Sequence, residues 1–323
     1  MSVFNRVLVG VDLLQSDSPG SNSFSMPVEE AIKHGLWLAE NASANITFFA
    51  VLDMLEDWFH SLQSERFPEA ISLHRSGRQT LDRLVDSARQ RGLKANAKLV
   101  SGEAWIEMIR EVEQYGQDVV IVGQRNAGTL HRFLFGGTAM RLLHNCPCPV
   151  WVTHPELRPF PQNILITSDL SPVSDITVKL GLAMGDLSGA KVHLLHAVDY
   201  VLDRRYSVGL LHTNREHYHG HVKAEARRKL AEQLERVSGG QPAATVLLHI
   251  VEGGITADIA ILQFIEQHQI DLLLMGTMAR GGLSGLSIGN TAERLVTQLP
   301  CSMLAIKPAD FKTPIDLTAT ALP

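Results

Sequence analysis

Short apolar runs recur along the chain, each followed by a longer segment whose apolar positions return every three or four residues. Arg6-Val-Leu-Val-Gly-Val-Asp12 reads as a buried strand, then residues 28–40 as an amphipathic helix, then Asn45 to Leu52 as a second strand ending at Asp53. A long charged helix follows (71–91), then a strand (94–100), a short helix from Glu103, a strand (119–122), a further helix and a last strand (149–153). The order then begins again. Asn163-Ile-Leu-Ile-Thr-Ser-Asp169 answers the first strand, and helices and strands follow at 174–187, 191–198 (ending before Asp199), 213–237, 244–251, from Thr256, at 272–275 and at 302–306. Strands alternating with helices at this spacing predict right-handed crossovers and a mainly parallel sheet covered on both faces. Each half is therefore expected to be a doubly wound α/β domain.

The repetition extends to single residues. DVVIVGQRNAGTLHRFLFGGTAMRLLHNCPCPVWV from Asp118 aligns without a gap with DLLLMGTMARGGLSGLSIGNTAERLVTQLPCSMLA from Asp271. Gly123 falls on Gly276, Gly136 on Gly289, Thr138 on Thr291, Arg141 on Arg294 and Cys148 on Cys301. Two copies of one domain are implied, at 1–154 and 162–310, with a linker at 155–161 that holds Pro155, Pro159 and Pro161, and a tail at 311–323. The polar stretch Ser16 to Ser25 has no counterpart in the second half and reads as a surface insertion.

Composition narrows the function classes. A chain of 323 residues that is 45% hydrophobic and 20% charged has the makeup of a folded globular protein. Its net charge of −5 gives no basic footprint for nucleic acid or an anionic membrane surface. The N-terminus enters a strand rather than a signal peptide, no apolar stretch has the length of a membrane span, and three cysteines are few and odd in number. A cytoplasmic protein is expected.

In doubly wound folds ligands sit beyond the carboxyl ends of the strands, where Asp12, Asp169 and both glycine loops fall. A glycine directly after a strand is expected to let the backbone turn sharply and approach a ligand, with amides and a helix N-terminus cradling an anion. The second loop, Gly276-Thr-Met-Ala279-Arg280-Gly-Gly-Leu-Ser284 through Gly289-Asn290-Thr291, resembles that of the universal stress protein family, and the resemblance covers nearly all of both halves. That family carries Gly-x-x-Gly, nine residues, then Gly followed by Ser or Thr. Two copies in one chain resemble its tandem, E-type members, which are cytoplasmic stress-resistance proteins.

The resemblance implies two Rossmann-like, adenine nucleotide alpha hydrolase-like domains whose apolar last strands pair within the chain as an internal pseudo-dimer. It also implies ATP or another adenine nucleotide, with or without magnesium, held by Asp169, Gly276, Ala279, Arg280, Gly289, Asn290 and Thr291. In the first half the matching positions are Asp12, Gly123, Asn126, Gly136, Gly137 and Thr138. The second loop departs from the pattern at Ala279 and Asn290, where the family has glycine and Ser or Thr. The first departs at Asn126 and Gly137, has no arginine at the place of Arg280, and is the more eroded copy. Asp12 and Asp169 would face the adenine and ribose, or cap the helix that follows. Asn290-Thr291 also suits a helix N-cap. A homodimer of whole chains and an unidentified protein partner are both compatible with the resemblance.

Rival chemistry fares worse. Gly123-x4-Gly128-Thr129 has P-loop spacing but no lysine for the phosphate charge. Ser287 in Gly285-Leu-Ser-Ile-Gly289 lies too far from a strand end to be a nucleophile elbow. Cys146, Cys148 and Cys301 read as buried structural thiols, and His217, His221 and Glu225 as a solvated helix face without a fourth metal ligand. No nucleophile stands beside a base, so a binding and regulatory protein is expected. The alternatives are a scaffold with decayed nucleotide motifs that takes another small ligand or a partner, and a slow ATPase.

Overall fold

The structure, a computed structural model, describes residues 3–13, 24–52, 68–126, 133–134, 136–155, 160–198, 200, 212–239, 245–252, 256–277 and 289–317. The chain divides into two compact units, residues 1–160 with 310–323, and residues 161–309.

The first unit runs β1 (Arg6–Gly10), α1 (Met26–Ala42), β2 (Asn45–Leu52), α2 (Pro68–Gln90), β3 (Ala95–Ser101), α3 (Ala104–Tyr115) and β4 (Val119–Gly123). A two-residue hairpin follows, β5 (Arg125–Asn126) against β6 (Phe133–Leu134), then α4 (Gly137–Asn145) and β7 (Val150–Thr153). Its main sheet is parallel throughout in the order β3-β2-β1-β4-β7. The order reverses between β1 and β4, which opens the crevice where such folds bind ligands.

The second unit repeats the plan with β8 (Asn163–Thr167), α5 (Pro172–Ser188), β9 (Lys191–Val198), α6 (His212–Ser238), β10 (Val246–Glu252), α7 (Ala257–His268), β11 (Leu272–Gly276), α8 (Asn290–Val296) and β12 (Ser302–Ile306). Its parallel order, β10-β9-β8-β11-β12, is the same. The doubly wound reading of both halves holds. The β5–β6 hairpin was absent from the sequence expectation, because two-residue strands carry no periodicity.

Strand sequences explain the layering. Val7, Leu8 and Val9 in β1 and Val119, Val120 and Ile121 in β4 are wholly buried, as both sheet faces are covered by helices. Helix α1 begins after an extended Ser25 with proline in its first turn and ends at Ser43 in the left-handed region (φ 55°).

A feature of the repeat emerges only in three dimensions. Asp118 accepts from the amides of Asn5 and Arg6 (2.6 and 2.9 Å), and Asp271 accepts from those of Gln162 and Asn163 (2.8 and 2.9 Å). Each aspartate stitches the start of the fourth strand to the start of the first. That explains why both repeats open on aspartate.

Candidate functional site

A cavity of about 460 Å³ lies at the carboxyl ends of β1, β2 and β4 in the first unit. Its apolar wall comes from Val11, Val28, Phe49, Met108 and Val122, with Trp105 from the first turn of α3. Its polar side comes from Asp12, just past β1, and from Gly136, Gly137, Thr138 and Arg141 at the start of α4. The volume is within the range of small-ligand pockets, and an apolar wall with a few convergent polar groups is their usual makeup.

Helix α4 presents its first turn to this space. Gly136 is the N-cap (φ −64°, ψ 161°) and caps no amide with a side chain. The first turn of α4, the positive end of the helix, borders the cavity, and no N-cap side chain competes for its amides. A Cβ built on Gly137 would meet nothing within 4 Å, so the space beside it is open.

The glycines that close β4 and β11 need a correction. The expectation was a sharp turn and close approach to a ligand, yet both end a regular strand, and neither is among the glycines with positive φ. A Cβ on Gly123 would lie 2.2 Å from the carbonyl oxygen of Pro27. On Gly276 it would lie 2.9 Å from Cγ1 of Val173. What approaches closely is the first turn of the helix after the first strand. Gly123 still lines the cavity, but its lack of a side chain is required by α1.

Of the residues expected in the first unit, Asp12, Gly123, Gly136, Gly137 and Thr138 all border one cavity. Asn126 falls in the hairpin, where its backbone pairs with Phe133. The sequence reading did not single out Trp105, Met108 or Phe49, because apolar residues on helix and strand read simply as core.

In the second unit Ala279 and Arg280 lie outside the described residues, so the centre of the better-matching loop does too. Gly289, rather than Asn290, holds the N-cap position of α8, and Asn290 and Thr291 open the helix. The Gly289 amide donates to the Thr277 carbonyl (2.7 Å), which ties the end of the loop back to β11.

Asp169 serves the helix that follows it. Its Oδ1 accepts from the Ser171 amide (3.0 Å) and the Ser174 hydroxyl (2.5 Å), while the side chain of Ser171 caps α5 at the Ser174 amide. These bonds hold Leu170 at φ 62°, a conformation a branched residue adopts at a cost. Asp169→Ala is expected to lower the stability of the second unit by about 1 kcal/mol, read as a shift in its denaturant midpoint. An unchanged midpoint would remove the capping role.

The cysteines behave as the sequence implied: all three are free and buried. Burial pushes the Cys301 thiol up, and a side-chain hydrogen bond with Cys146, then burial, does the same to Cys148. Glu225 is engaged by Arg228 and Lys229 (2.7 and 3.4 Å). Among the described residues no group of three or more His, Cys, Asp or Glu is arranged to hold a metal ion. No helix among them is long and apolar enough to cross a membrane.

Residues 4–154 and 161–307 each match the universal stress protein family. The chain belongs to that family. Its two domains stand in tandem, as in the E-type proteins. Universal stress protein E of Escherichia coli is 24% identical over 331 residues, covering 98% of this chain and 98% of that protein. The Salmonella typhi protein of the same name is 23% identical over the same shares of both chains. A solved universal stress protein from Archaeoglobus fulgidus superposes with a TM-score of 0.64 at 18% identity, over 93% of this chain and 98% of that one. At that identity the likeness speaks to the fold. Membership places the chain among regulatory proteins of the stress response.

Proposed function

We propose that this universal stress protein is a binding and regulatory module that takes an adenine nucleotide in the cavity of its first unit. The cavity at the sheet's switch point carries the reading. Its apolar wall suits a purine ring, Asp12 can accept from hydroxyl or amino groups, and the first turn of α4 offers amides to phosphate. The second loop matches the family motif better, but its centre lies outside the described residues. Binding by the second unit through Gly276, Gly289, Asn290, Thr291 and the loop around Arg280 stays part of the proposal as a second site.

Calorimetric titration of the whole chain with ATP is expected to give saturable binding, accompanied by a change in Trp105 fluorescence. Gly137→Glu places an anion in open space at the start of α4. The variant is expected to fold normally and to bind ATP at least about tenfold more weakly, equivalent to about 1.4 kcal/mol. A folded Gly137→Glu protein with undiminished ATP affinity would move the site elsewhere. A stoichiometry of two, with one site surviving in that variant, would assign the second site to the second unit.

The predominance of Val11, Val28, Phe49, Met108 and Val122 on the wall favours one other reading, an apolar metabolite in the same space. ATP that fails to bind while a hydrophobic fluorescent probe binds and is excluded by Gly137→Glu would favour it.

A further inference from the structure

We propose that Arg141 reads the phosphate of the ligand, and that Glu103 holds this arginine in reserve at the rim of the cavity until a phosphate displaces it. The inference rests on the adenine-nucleotide reading of the same cavity. Arg141 lies one turn into α4, and helical side chains lean toward the N-terminus of their helix, so its guanidinium reaches back over the first turn. It lines the cavity together with Trp105 and Gly137. Gly137 is four residues earlier on the same face, and the space at its Cβ position is open.

Three side chains meet at this rim. Arg141 Nη1 donates to Glu103 Oε2 at 2.9 Å, and Trp105 Nε1 donates to the same oxygen at 2.5 Å. The Arg141 guanidinium sits 5.3 Å from the centre of the Trp105 ring. The Arg141 and Glu103 side chains are 56% and 58% exposed, so the pair is solvent-screened and cheap to open. A guanidinium has five donors in a planar fork that fits phosphate bidentately, a stronger bond than one exposed contact to a carboxylate. Exchange of Glu103 for a phosphate is therefore downhill, whereas a nucleoside offers nothing to trade.

The second copy of the domain shows the same arginine used differently. Arg294, the counterpart of Arg141, lies 3.6 Å from Asp258, whose side chain is only 11% exposed. Asp258 occupies the place that Trp105 has in the first unit. There the arginine meets a largely buried acid on α7. In the first unit an aromatic wall residue replaces that acid, and the arginine is left with an exposed, releasable partner.

The test compares ATP with adenosine on the full chain, by calorimetry, in wild type, Arg141→Ala and Glu103→Gln. Arg141→Ala is expected to weaken ATP about tenfold or more and to leave adenosine within about twofold. Glu103→Gln is expected to tighten ATP severalfold without changing adenosine, a gain that a merely structural role could not produce. Saturable ATP binding that neither variant alters, or equal losses for both ligands, would overturn the role of Arg141 and leave the cavity reading standing. No saturable binding of either compound to wild type would overturn both.

Discussion

Gly123→Ala is expected to destabilise the first unit by about 3 kcal/mol, the largest single-residue effect expected in that unit. The added Cβ would sit 2.2 Å from the Pro27 carbonyl oxygen and 2.9 Å from the Pro27 Cβ, well inside contact distance. A backbone carbonyl in the first turn of a helix cannot rotate out of the way, so relief requires α1 to move off β4. Overpacking of this kind typically costs about 1–3 kcal/mol, and a clash with backbone lies at the upper end. The cavity should suffer as well, since Pro27 and Val28 form part of its wall. Gly276→Ala is the control. Its nearest neighbour would be a side-chain methyl of Val173 at 2.9 Å rather than a backbone atom, so a smaller loss of about 1 kcal/mol is expected. Denaturant unfolding of both variants checks the pair. A Gly123→Ala midpoint indistinguishable from wild type would mean that α1 is not seated as described.

The second unit is expected to lose stability as pH falls from 6.5 toward 4. His193 on β9, His249 on β10 and His268 on α7 form one cluster around Phe264. His193 Nδ1 lies 3.0 Å from His249 Nε2, and the His193 ring centre is 5.1 Å from those of both His249 and His268. His193 is only 1% exposed. Burial first, then His249, His268 and Lys191, push its pKa down from 6.5 to about 4. His249 is lowered too, by burial first and then by His268, Lys191 and Arg227. The native state therefore binds fewer protons than the unfolded chain between those two values. The stability held by a neutral His193 is complete above pH 6.5, drains as pH falls, and is gone below about pH 4. The shift corresponds to about 3 kcal/mol for His193 alone. Unfolding of the second unit, followed by hydrogen exchange in β9 and β10 at pH 7.5 and about 4.5, should show this loss. His193→Asn should reduce it to less than half. Equal pH dependence in wild type and variant would contradict the assignment.

Much of this architecture was legible because buried parallel strands write themselves as unbroken apolar runs. β2 and β9 fall at the residues the pattern indicated, as does β12. Helix ends were less legible, since caps depend on local geometry. α5 starts at Pro172, ahead of the periodic segment, because Ser171 and Asp169 organise its first turn. The site was half legible. Glycine punctuation and strand-end aspartates marked the crevice, and Asp12, Gly136, Gly137 and Thr138 do border one cavity. The physical reason for Gly123 and Gly276 was not legible, because the helix that crowds them begins far away in sequence. Nor could the wall of Trp105 and Met108 or the Glu103–Arg141 pair be read, since both depend on how the starts of α3 and α4 come together.

Hydrogen–deuterium exchange on the whole chain with and without ATP tests most directly whether the first unit holds the nucleotide. Added protection is expected at residues 10–12, 104–108 and 136–141. Protection confined to residues 276–291, or none at saturating ATP, would contradict it.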